Sequence, residues 1–153
     1  MFENNYNLKA AYKTIKILFA AILAGPIIFS IVALVIVENP SRMAFDFSQP
    51  LNLALILVTL GTLLMGNLLA RKTFARVTPD FDTKKRIATY QIGLIIRLAS
   101  YKVVALFSIV VFILTTNILV LLFVFVAVVG MAQNYPTPGR IRTLVGIKEI
   151  DLL

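Results

Sequence analysis

Three long stretches of the chain carry no charged residue: 17–37 (21 residues), 47–70 (24 residues) and 103–139 (37 residues). About 20 apolar residues coiled as helix match the hydrocarbon thickness of a bilayer. Backbone hydrogen bonding in lipid demands either helices or a closed barrel, and these runs lack the alternation of a barrel strand. The first predicted span is 17–37 and the second 51–70. The 37-residue run is too long for one crossing, and its only polar break, Thr115-Thr116-Asn117, predicts a tight turn there. That makes 118–134 the fourth span. It leaves only 103–114 for the third, roughly 18 Å of helix and too short to cross. The third span is therefore predicted to occupy 92–114 and to carry Arg97 and Lys102 into the membrane. The expected fold class is all-α: a polytopic membrane protein, a four-helix transmembrane bundle in one domain over 1–153. A basic loop over 71–91 and a tail over 135–153 complete it.

Basic residues set the expected orientation. Lys9, Lys13 and Lys16 precede the first span, Arg71, Lys72, Arg76, Lys84, Lys85 and Arg86 lie in the loop, and Arg140, Arg142 and Lys148 follow the last span. The opposite side offers Arg42 alone, beside Glu38 and Asp46. Under the positive-inside rule both N- and C-termini are cytoplasmic, with hairpin tips at 38–50 and 115–117 outside. The first apolar segment exceeds the usual length of a signal peptide and no clear small-x-small site ends it, so it reads as a retained anchor.

The polar positions of the third span form a pattern. At about 100° per residue, Tyr90, Gly93, Arg97, Ser100, Tyr101, Ser108 and Thr115 share one helix face. Such a stripe faces protein or a water-filled cavity. It reads as a pathway or anionic-ligand site with Arg97 as fixed charge, or as interhelical packing with Arg97 reaching cytoplasmic phosphates. Lys102 lies some 140° around the helix from Arg97 and near mid-span. A central lysine costs about 2.5–3.5 kcal/mol on insertion scales. Snorkelling toward the cytoplasmic interface is the simplest relief; the alternative is a carboxylate supplied by another subunit. Arg97, Ser100, Tyr101, Lys102 and Ser108 together form the candidate intramembrane polar or partner site.

Small residues recur at packing spacing: Ala21 and Gly25 on the first span, and Thr62, Gly66 and Ala70 on the second. These faces suit helix packing within the bundle or self-association. Gly25-Pro26 predicts a bend, because proline removes a backbone bond. In the loop, Thr78 or Asp80 is the expected cap of a helix entering the third span. Arg71, Lys72, Arg76, Lys84, Lys85 and Arg86 are expected to contact anionic lipid headgroups on the cytoplasmic side, at roughly 1 kcal/mol per charge. Beyond Pro136, the positions Ile141, Leu144, Val145 and Lys148 suggest a short interfacial helix or a partner-docking element.

Composition removes chemistry. The chain is 59% hydrophobic and 14% charged, against about 25% charged in a soluble domain. It has no Cys, His or Trp. Disulfides, thiolate or imidazole metal ligands and His- or Cys-based catalysis are excluded. No carboxylate lies inside a predicted span, which argues against a proton relay. No phosphate-binding glycine loop occurs and no paired acids at metal-ligand spacing lie on a span, Asp80 and Asp82 suiting a cap better than a metal, so neither an enzyme nor a cofactor is expected. The net charge of +8 is juxtamembrane and calls for no nucleic acid.

Phe29-Ser30-Ile31-Val32 recurs as Phe107-Ser108-Ile109-Val110, and Tyr12 aligns with Tyr90 at the same offset. This pattern suggests a duplicated helical hairpin. From Ile95 onward, Ile-Ile-Arg-Leu-Ala, then Ala-Leu-Phe, Asn117, Pro136-Thr137 and a short Ile/Leu tail resemble a family of small uncharacterised four-helix inner-membrane proteins of Bacteroidota. Some of these are described as similar to the rotor-ring subunit c of ATP synthases. The likeness covers about the last 60 residues. It implies a Glu where this chain has Lys102, so the chain lacks the carboxylate that would carry ions in a rotor. The expected function is that of a non-catalytic accessory or assembly subunit of a larger inner-membrane complex. The alternative is an oligomeric transporter or channel for small solutes or anions, built around the Arg97 stripe.

Overall fold

The computed structural model describes residues 8–40, 45, 47–78 and 81–145. Every regular element among them is helical: α1 (Leu8–Ile36), α2 (Pro50–Phe74), α3 (Thr83–Thr115), a 3₁₀ turn (Ile118–Val120) running into α4 (Leu121–Gln133), and α5 (Pro138–Val145). Helices α1, α2 and α3 are long and apolar enough to cross a membrane. Their outward faces agree with lipid as solvent: Val35 is 75% exposed, Leu57 62% and Leu64 63%. In water each such side chain would forgo about 1.5–3 kcal/mol of burial. The chain is a helical membrane protein. The fourth apolar segment, Ile118–Gln133, is shorter. With its first turn 3₁₀ it reaches roughly 25 Å.

Local chemistry fixes the ends. Pro50 opens α2 after Gln49 in extended backbone, where a missing N–H costs nothing. The cap of α3 is neither residue expected from the sequence. Asp82 occupies that position without a side-chain bond, and Thr83 is the first helical residue. Thr78 precedes a proline, which disfavours helical backbone there; its carbonyl instead accepts the Phe81 N–H at 3.2 Å in a turn. Asp80 lies outside the described residues, as do Arg42 and Asp46. At the other end of α3, Thr116 takes φ 54°, its N–H donates to the Phe112 carbonyl at 2.8 Å, and the chain reverses. The Asn117 side chain then accepts the Leu119 N–H at 3.0 Å and starts the 3₁₀ turn. Asn134 ends α4 by folding its amide back to donate to the Gly130 carbonyl at 2.7 Å.

Helix α3 is the hub. It packs along α1, α2, α4 and α5; α1 also meets α4, whereas α1 and α2 make no comparable contact. The buried residues of α3, from Ile87 to Phe112, fall within an arc of about 160°. One apolar core joins Ala33 of α1 and Val37 just after it to Leu55 of α2, Phe112 of α3 and Val124 of α4. A second joins Ile15 and Phe19 of α1 to Tyr90 and Leu98 of α3, Met131 of α4, and Ile141 and Val145 of α5. Early residues of α1 thus meet early residues of α3, and late meet late, so the two helices run parallel. The two halves of the proposed duplication pack differently. Helices α3 and α4, joined by a tight turn, lie against each other, while α3 separates α1 from α2.

The tail forms α5, and its apolar side is spent on the chain itself: Ile141 and Val145 are 3% and 1% exposed against α1, α3 and α4. The Leu144 side chain and Lys148 lie outside the described residues.

Candidate functional site

Midway along α3, three consecutive polar residues address three different helices. A methyl group at Gly66 of α2 would overlap the Ser100 side chain, and one at Gly130 of α4 would overlap the Tyr101 ring. The Lys102 Nζ lies 3.8 Å from the Cβ position of Gly25 in α1. Successive helical residues point about 100° apart, so the triplet spreads over the three neighbours, and each neighbour presents a glycine at the point of contact. Glycine is required at Gly66 and Gly130 because the approach leaves no room for a Cβ. Gly93 repeats the device one end lower, taking the Phe74 ring of α2.

The hydroxyls of the stripe are satisfied within their own helix. Ser100 Oγ donates to the Ile96 carbonyl at 2.9 Å, Ser108 Oγ to Val104 at 2.7 Å and Thr115 Oγ1 to Val111 at 2.7 Å. Ser108 is fully buried in the bundle. This bonding pattern removes the hydroxyls' donors from any passing ligand.

Arg97 does not stand apart from the protein. Its Nη1 donates to Asn134 Oδ1 at 3.0 Å, at the end of α4, and its guanidinium lies 5.4 Å from the Phe74 ring centroid. Because the Asn134 amide already donates to Gly130, its oxygen is turned toward Arg97. The Arg97 Nε–H is buried without a partner. Lys102 likewise does not extend toward the basic end of the bundle. It crosses to the middle of α1, beside the Gly25-Pro26 step, and makes no hydrogen bond or ion pair among the described residues. Pro26 has no N–H to give, so α1 lacks one backbone hydrogen bond in that region.

The remaining small positions divide. Ala70 is fully buried, and Thr62 lines a groove of about 410 Å³ between α2 and α3 with Gly66, Ile96 and Ser100. Of the six basic residues expected at lipid headgroups, Arg71, Lys72, Arg76, Lys84 and Lys85 are exposed, Lys85 with its Nζ 3.9 Å from the Phe81 ring centroid. Arg86 is turned to the protein instead. Its Nε donates to the Phe81 carbonyl at 2.7 Å and its Nη1 to the Val145 carbonyl at 3.2 Å, so it pins the end of α5. Among the described residues no cluster of acidic or other metal-ligating side chains occurs.

Sequence reasoning named Arg97, Ser100, Tyr101, Lys102, Gly25 and Gly66 but missed Gly130, Asn134 and Phe74. A glycine opposite an aromatic ring on a neighbouring helix leaves no local signature, and Asn134 reads as the end of an apolar run. No family model matches the chain, and neither a curated protein nor a solved structure matches it. The functional reading therefore rests on geometry.

Proposed function

We propose that this chain is a non-catalytic accessory or assembly subunit of a larger complex in the inner (plasma) membrane. It crosses four times with both termini cytoplasmic, the short fourth span accommodated by local bilayer thinning. The observation that carries the reading is the Ser100-Tyr101-Lys102 hub. Two of its residues are consumed by packing against Gly66 and Gly130, and the third holds an ammonium group at mid-bundle with no acid in any span to answer it. A charge kept in the membrane at a cost of about 2.5–3.5 kcal/mol calls for a return, and a carboxylate on a partner's helix supplies one. The exposed cations Arg71, Lys72, Arg76, Lys84 and Lys85 fit contact with anionic headgroups on the cytoplasmic side. The orientation rests on the same asymmetry of basic residues.

The competing reading is an oligomeric small-solute or anion carrier along the α3 stripe. It must run past Ser100 and Tyr101, which are wedged against glycines. Purified chain in proteoliposomes loaded with a chloride- or phosphate-sensitive reporter distinguishes the two. The accessory-subunit reading expects leakage equal to empty vesicles, unchanged by Arg97→Ala. Flux above that background, abolished by Arg97→Ala, refutes it in favour of a carrier.

A further inference from the structure

At the end of the bundle that carries α5, a cavity of about 490 Å³ lies between α2, α3, α4 and α5. Its polar lining comes from Tyr90 and Arg97 of α3, Asn134 at the end of α4, and Arg140 and Thr143 of α5, with Phe74 of α2 as an apolar wall. None of the described residues lining it is acidic. Both guanidinium groups lie within electrostatic range of the Tyr90 hydroxyl. Two cations facing one cavity without a counter-charge among the described lining repel each other, though solvent at the exposed Arg140 screens part of the repulsion.

Each guanidinium is oriented by the fold and keeps donors free. Arg140 gives its Nη1 to the Gln133 carbonyl at 2.6 Å, the last carbonyl of α4. Arg97 gives its Nη1 to Asn134, and its buried Nε–H has no partner. A buried donor left unmade is costly, more so on a charged group. The cavity also meets the first turn of α5 at Gly139 and Arg140, although the Arg140 N–H is already given to Thr137 Oγ1 at 3.3 Å. An oxyanion would neutralise the repulsion and accept from both forks at once, the geometry for which arginine is preferred over lysine.

We propose that this cavity is a phosphate-binding site, held by Arg97 and Arg140, whose occupant is the phosphate of an anionic phospholipid headgroup or free phosphate. Asn134 is a positioning residue that presents the Arg97 fork. The site is separate from the Lys102 flank, so it stands or falls independently of the accessory-subunit reading.

The test uses the full chain in a neutral detergent, with phosphatidylglycerol titrated by native mass spectrometry and inorganic phosphate by calorimetry. Phosphatidylcholine serves as the uncharged control. Arg140→Gln changes an exposed residue, and unchanged helicity by circular dichroism establishes that the variant folds. It is expected to weaken binding about tenfold, the scale of one charge-assisted hydrogen-bonding group. Lys9→Gln/Lys13→Gln, which removes more charge from exposed positions at the start of α1, is expected to leave affinity within about twofold. Arg140-dependent retention of phosphatidylglycerol without phosphate binding identifies the headgroup as occupant. Arg140-dependent phosphate binding identifies the free anion. Binding of neither probe, or equal losses in the arginine and lysine variants, overturns the site. Should Arg140→Gln lose helicity, Arg140→Lys keeps the charge but not the fork, and undiminished binding by that variant overturns it as well.

Discussion

Arg97 and Lys102 are five residues apart on one helix, yet the protein handles their charges in opposite ways. Arg97 turns inward to Asn134 and the Phe74 ring. Lys102 crosses the outer flank of α3 to lie beside Gly25. Both residues stood out in the sequence because an ionisable group in a span is expensive. Their partners did not, since an asparagine 37 positions away and a glycine on another span carry no local mark. Both side chains meet groups on other helices that the fold brings close. Replacing Asn134 by leucine removes the acceptor and leaves the guanidinium buried on Phe74. Asn134→Leu is expected to destabilise the protein by about 1–3 kcal/mol. Unfolding in mixed detergent and denaturant micelles measures the loss, and an unchanged midpoint contradicts the bonded role of Arg97.

At the scale of the helix, small residues at regular spacing announced close packing without saying which ones make it. Gly61 and Gly66 share α2, but a Cβ at Gly61 meets nothing within 4 Å whereas one at Gly66 collides with Ser100. The difference is one of helix face. Gly66 and Ala70 look toward α3, while Gly61 looks toward the groove and the lipid. Gly66→Val is therefore expected to lose about 1–3 kcal/mol through forced separation of α2 from α3. Gly61→Val is expected to be neutral within about 0.5 kcal/mol. Thermal unfolding in one detergent compares them, and equal losses contradict the assigned face. The turn at Thr115-Thr116-Asn117 was legible because three polar residues interrupt a long apolar run. The start of α3 was not. The proline after Thr78 moves the helix boundary to Asp82, past the residues that look like better caps.

For the whole molecule, hydrophobic patterning gave helices and a membrane environment, because runs of that length have no other favourable state. It could not show that α3 lies at the centre. That follows from the breadth of the buried arc on α3, which α1, α2, α4 and α5 share, while α1 and α2 keep apart. A repeated tetrapeptide in α1 and α3 suggested two equivalent hairpins, but a tight turn binds only α3 to α4. The central placement of α3 also brings its polar residues into contact with neighbouring helices. Ser100, Tyr101 and Lys102 sit where three helices converge, and two of them are locked by glycine contacts. The remaining cation is the part of the hub that another protein can answer.

The most direct measurement is quantitative affinity purification from native membranes in mild detergent, comparing the wild-type chain with Lys102→Leu. The account predicts a near-stoichiometric membrane protein with the wild type and about a tenfold drop for the variant at equal bait yield, the loss of roughly 1.4 kcal/mol. The same partner recovered equally with both chains, or no partner with either, contradicts it.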